Sequence, residues 1–124
     1  MNTFSEYSEI ARQSDVYPKM DRQMAVAIPG SNLPCRYTER LPVYPALALG
    51  GEAGEFSEKV KKAWRDGTPL NTEEAAKELG DVLWYVDAAA KDMGYTLQQI
   101  AQMNLDKIQS RRARGVLGGS GDNR

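Results

Sequence analysis

Two matched carboxylate pairs stand near the middle of the chain: Glu52 and Glu55 in GEAGE, then Glu78 and Asp81 in ELGD. Each has i,i+3 spacing, and residues three apart are neighbours on a helix surface. Two such helices packed antiparallel would aim all these carboxylates at one spot. Left alone, the charges repel and favour protonation. A divalent cation relieves this, and all-oxygen ligation suits a hard ion, Mg2+ or Mn2+. Acidic i,i+3 pairs are also common on solvated helix faces. Here, however, the second pair opens an apolar run, Val82-Leu83-Trp84-Tyr85-Val86. The first sits among Ala and Gly, whose small side chains let a ligand or another backbone come close.

The residues that are missing narrow the chemistry further. The 124 residues include no histidine. This removes Ser-His-Asp and Cys-His nucleophile systems, zinc sites that need imidazole, and the Glu-x-x-His pairs of di-iron bundles. A net charge of −1 does not indicate a nucleic-acid partner. Basic residues do gather late, at Lys107, Arg111, Arg112, Arg114 and Arg124. Such a cluster suits a phosphorylated small molecule, or equally a solvated tail. Cys35 is the sole cysteine, so no intrachain disulfide forms. With no signal-like or membrane-length apolar run, the expectation is a soluble cytoplasmic protein without a membrane partner. The length predicts one domain, 1–124.

The elements that must position the carboxylates read as helices. Thr3 and Glu6 form a capping-box pattern for a helix over 3–14, with Phe4, Tyr7, Ile10 and Ala11 on one side. Residues 15–42 read as a long connection punctuated by Pro18, Pro29, Pro34 and Pro42, with a turn at Pro29-Gly30-Ser31-Asn32. A loop of this length is functional or disordered as a rule. A second helix is expected over 43–66, with Leu49, Ala53, Phe56, Val60 and Ala63 buried. Glu52, Glu55, Lys59 and Lys62 take the adjoining face. Lys59 either pairs with Glu55 at i+4 or, like Lys62, meets phosphate oxygens. Gly50-Gly51 costs roughly 1 kcal/mol per glycine relative to alanine. That cost suggests a kink or another element close by.

Asn71 caps a third helix over 72–93, buried along Ala75, Leu79, Val82, Val86, Ala90 and Met93 and closed by Gly94. Tyr85 follows Asp81 by four and shares the carboxylate face. It can pack with its ring or donate to a phosphate. Thr96-Leu97-Gln98-Gln99 opens a fourth helix, 96–114, with Leu97, Ile100, Ala101, Leu105 and Ile108 inward. Asn104 and Lys107 share one face, which suits a triphosphate or is simply polar. The ending GVLGGSGDNR has the composition of a flexible tail. No stretch alternates convincingly as a strand, and the fold class expected is all-α, a four-helix bundle with a carboxylate site.

GEAGE, a spacer and KELGDVLWY together resemble the MazG-like all-α NTP pyrophosphohydrolases, whose hallmark is EExxE, a spacer, then ExxD. The leading Glu is replaced by Gly51, and the rest stands as Glu52, Glu55, Glu78 and Asp81. Asn104-x-x-Lys107 and the GSGDNR ending extend the resemblance to nearly the whole chain, closest to the short single-domain branch of phages and bacteria. The resemblance implies hydrolysis of a (deoxy)nucleoside triphosphate to monophosphate and pyrophosphate, with two or three Mg2+ or Mn2+ ions per site. It implies a homodimer or homotetramer, in the host cytoplasm if phage-encoded. Carried over, Glu52, Glu55, Glu78 and Asp81 are metal ligands, and Tyr85, Asn104 and Lys107 hold phosphates. Glu55 is the candidate general base. Lys59 or Lys62 offsets phosphate charge with Lys107, while Arg111, Arg114 and Arg124 are candidates for closing the site with tail 114–124. Glu58 is an i+3 extension that takes part of the missing Glu's role. A purine deoxynucleotide such as dGTP is slightly preferred. The alternatives are a dUTP- or dCTP-directed pyrophosphatase of the same superfamily, or a non-enzymatic helical interaction module.

Overall fold

The computed structural model describes residues 3–27 and 29–121. Helix α1 spans Phe4–Ala11 and runs into a 3-10 turn at Arg12–Ser14. Strands β1 (Met20–Val26) and β2 (Cys35–Leu41) follow, then helices α2 (Val43–Asp66), α3 (Thr72–Asp92) and α4 (Leu97–Ala113). The all-α body is as expected, and caps explain its helix starts. Thr3 with Glu6, and Thr96 with Gln99, form reciprocal capping boxes. The Asn71 side chain accepts from Glu74 N–H at 3.2 Å. Helix α2 has no side-chain cap but carries Pro45 in its first turn, where a missing N–H costs nothing. Gly67 ends it at φ 63°, a left-handed conformation natural to glycine.

The stretch 15–42 corrects the expectation of an unstructured connection. It holds an antiparallel hairpin in register from Met20↔Leu41 to Val26↔Cys35. Its alternation is broken at one level in both strands. Arg22 and Glu39 stand on the face shared by Met20, Met24, Val26, Cys35, Tyr37 and Leu41. They are cross-strand partners with Arg22 Nε 2.6 Å from Glu39 Oε2, so each charge that spoils its own strand's pattern is cancelled by the other. The opposite face pairs Gln23 with Thr38 at 2.8 Å and Asp21 with Arg40.

Helices α2 and α3 make the main packing interface, and α4 touches α1 and α3. The buried set is small: Tyr17, Ala75, Ala88, Ala90, Leu97 and Pro45, with the polar Asp87 and Arg111. Several residues expected inside are exposed in the single chain, among them Ala53, Val60, Leu79, Met93, Leu105 and Ile108. Nor does Gly50-Gly51 mark the close approach of another described element. Helix α2 runs through it, and a Cβ added at either position would meet nothing within 4 Å.

A charged tie fastens α1 to α3. Arg12 Nε lies 3.0 Å from Asp87 Oδ2 with both side chains buried. The Ser8 hydroxyl donates to Asp87 Oδ1 at 2.6 Å, and Arg12 Nη2 to the Trp84 carbonyl at 3.1 Å. The Arg12 guanidinium also lies 4.1 Å above the Trp84 ring.

Candidate active site

The antiparallel α2–α3 pair brings Glu52, Glu55 and Glu78 together. One carboxylate oxygen from each lies within 4.8 Å of the others. Burial first, then the charges of Glu55, Asp81 and Glu78, hold the Glu52 carboxyl above the usual carboxylate range. Asp81 is exposed, three residues beyond Glu78 on the same helix, and its charge is felt at Glu52 and Tyr85. The hollow beside these groups has a volume of about 680 Å3, within the usual range for a small-molecule site. Gly51 and Gly54 line it, together with Glu55, Ser57, Glu58, Lys59, Lys62 and Glu78. Gly51, where the family hallmark has Glu, thus leaves room rather than adding a ligand.

Hard oxygen donors converging on one point, where their charges repel one another, fit a divalent cation. Lys59 does not settle on Glu55 at i+4. Its Nζ crosses to α3, 3.3 Å from Glu78 Oε1 and 4.0 Å from Glu74 Oε2. Lys62 lies 3.5 Å from Glu58, which also pairs with Lys61. Glu58 is therefore occupied by its own helix, although it lines the hollow.

An aromatic group adjoins the carboxylates. Tyr17 stacks on Tyr44 with centroids 5.5 Å apart, Tyr44 lies 6.4 Å from Tyr85, and Tyr85 meets Trp84 edge-on at 4.8 Å. Burial, then Tyr44, Glu52 and Asp81, raise the Tyr85 hydroxyl pKa. Of these rings, the sequence pattern places only Tyr85 on the carboxylate face. What it missed is that Tyr17, Tyr44, Trp84 and Tyr85 form one group while Trp64 stays 86% exposed. No spacing along the chain links Tyr17 and Tyr44 to α3.

Helix α4 carries the remaining candidates. Asn104 is exposed and Lys107 half-buried. Arg111 is buried, and its Nη2 donates to the Gly121 carbonyl at 3.0 Å, which folds the tail back onto α4. Arg114 Nε donates to Ser110 Oγ at 3.3 Å. Arg124 lies outside the described residues.

A model of the MazG nucleotide pyrophosphohydrolase domain matches residues 45–116, more than half of the chain and all of the α2–α3 carboxylates. The gene 37 protein of Mycobacterium phage L5 is 48% identical over 85 residues, covering 65% of this chain and 75% of that protein. No solved structure matches. The chain belongs to the MazG nucleotide pyrophosphohydrolase family and is a hydrolase that acts on nucleoside triphosphates.

Proposed function

We propose that the chain cleaves a (deoxy)nucleoside triphosphate between its α and β phosphates, giving the monophosphate and pyrophosphate. The convergence of Glu52, Glu55 and Glu78 carries this reading. Together with Asp81 they would hold two or three Mg2+ or Mn2+ ions. Such ions, when bound, lower the pKa of a water and offset charge on the leaving group. Glu55, exposed at the hollow, accepts the water's proton, so the absence of histidine is no obstacle. Lys59, Lys62 and Lys107 set positive charge against phosphate oxygens, while Tyr85 and Asn104 donate hydrogen bonds. Arg111, Arg114 and Arg124 belong to tail 114–124 and its base, which closes over the nucleotide.

The base lies against the Tyr44–Tyr85 side of the carboxylates, and a purine deoxynucleotide such as dGTP is the favoured substrate. Residues 1–124 act as one domain in the cytoplasm. The apolar side chains left exposed on α2, α3 and α4 favour a homodimer or homotetramer. Membership of a hydrolase family sets aside the non-enzymatic module.

Pyrophosphate release from the common NTPs and dNTPs, with Mg2+, Mn2+ or EDTA, tests the reading. Release is expected to need metal, to yield the monophosphate and to vanish in Glu55→Gln. A ranking led by dUTP or dCTP would replace the purine preference with a pyrimidine one. Undiminished release in EDTA would refute the metal reading.

A further inference from the structure

One cation already sits on the carboxylate cluster, and it belongs to the chain. Lys59 leaves α2 four residues after Glu55 and reaches α3, where its Nζ is 3.3 Å from Glu78 Oε1. Glu78 is one of the carboxylates that converge with Glu52 and Glu55. The second acid within reach, Glu74 at 4.0 Å, lies one helical turn away from the cluster. Lys59 also lines two adjoining hollows, the carboxylate one and a smaller one of about 200 Å3 bounded by Lys62, Thr68, Asn71 and Glu74. Its side chain is 35% exposed, so it can move between them.

Resting on the metal-dependent reading above, we propose that Lys59 is the resident counter-ion of the substrate-free site. It competes with the metal for Glu78 and, once displaced, turns to the triphosphate. A single positive charge offsets only part of three converging carboxylates. A divalent cation offsets more and repels the ammonium, which then loses Glu78. The displaced Nζ swings toward Glu74 and the smaller hollow, whose lining it shares with Lys62, and so stays beside the carboxylate hollow. One residue thereby opposes metal binding in the empty protein and favours substrate once metal is bound.

These two effects have opposite signs, which a merely structural tie between α2 and α3 would not produce. Loosening such a tie would weaken both metal and substrate. The probes are Mn2+ alone, and inorganic tripolyphosphate with saturating Mg2+, both followed by calorimetry on the full chain. Lys59→Met keeps the stem and removes the charge. It is expected to bind Mn2+ about fivefold tighter than the unaltered chain, the size of a half-exposed ion pair. It is expected to bind tripolyphosphate about tenfold more weakly, the loss of one charge-assisted hydrogen bond. Lys59→Arg should restore tripolyphosphate binding, and in a Glu78→Gln background Lys59→Met should no longer improve Mn2+ affinity. Mn2+ binding that is unchanged or weaker in Lys59→Met overturns the proposal and leaves the metal site standing. Failure of the unaltered chain to bind Mn2+ at all overturns the metal reading and the proposal with it.

Discussion

Replacing Asp87 by alanine is expected to destabilise the protein by about 3 kcal/mol, because it takes the nearest counter-charge from a buried guanidinium. The magnitude follows from the surroundings. Arg12 and Asp87 side chains are 8% and 4% exposed and approach to 3.0 Å. Their gross attraction at that distance, with an effective dielectric constant near 20, is about 5.5 kcal/mol. Desolvation of both groups offsets much of this in the intact pair. Removing Asp87 leaves Arg12 with the Trp84 carbonyl and ring and with Asp15 at 3.9 Å, which offset only part of its desolvation, and the Ser8 hydroxyl loses its 2.6 Å acceptor. Unfolding entropy for 124 residues gives a Tm loss of about 4 °C per kcal/mol, hence about 12 °C in all. Differential scanning calorimetry at fixed protein concentration reads the shift, and urea unfolding gives the free energy. The reasoning makes a second demand. Among the described residues, Arg12 Nε and Nη1 and Asp87 Oδ2 make no hydrogen bond, so the pair acts through charge rather than alignment. Arg12→Met with Asp87→Leu removes both charges and should recover most of the loss. A Tm change under about 3 °C in Asp87→Ala, or a double variant less stable than the single one, would refute the argument.

Saturating Mn2+ should raise Tm and EDTA reverse it, with Glu52→Gln plus Glu78→Gln abolishing the rise, since a ligand held only by the folded state stabilises it. Burial raises the hydroxyl pKa of Tyr7, Tyr17 and Tyr85 above 10.0, with acidic neighbours adding to the effect. The folded state therefore holds protons that the unfolded state releases. This contribution is intact below pH 10 and lost as pH rises through the folded values. Denaturant titrations above pH 10 should show stability falling with pH, and less steeply in Tyr17→Phe. Deleting residues 118–124 removes the Gly121 carbonyl that Arg111 holds, and kcat/KM should fall severalfold. An unchanged value would show that the tail takes no part.

The helices were legible because each carries a local signal: Thr3 with Glu6, Asn71 with Glu74, Thr96 with Gln99, and glycine after α2 and α3. The meeting of Glu52, Glu55 and Glu78 was legible because i,i+3 pairs on adjacent helices have few ways to meet, whereas Asp81, expected with them, stands outside that group. The hairpin was not. Arg22 and Glu39 each interrupt an otherwise apolar face, and only strand pairing shows that the interruptions coincide. Lys59 shows the same limit in the site. Its i+4 relation to Glu55 is visible along the chain, whereas its partner is Glu78 across the helix pair. Burial was overestimated along α2, α3 and α4, since a helical stripe says which face is apolar and not whether one chain alone covers it.

The carboxylates occupy two helices joined directly, with Glu55 and Glu78 separated by a single helical hairpin. Closing so short a segment carries a modest entropic cost. Nothing from α4 is needed to bring these carboxylates within reach of one another. During synthesis, every residue of the acidic centre has been added before the last helix is made. An ion captured at that stage would act as a clasp on the nascent helix pair, so metal supply would bear on the yield of folded protein as well as on its activity.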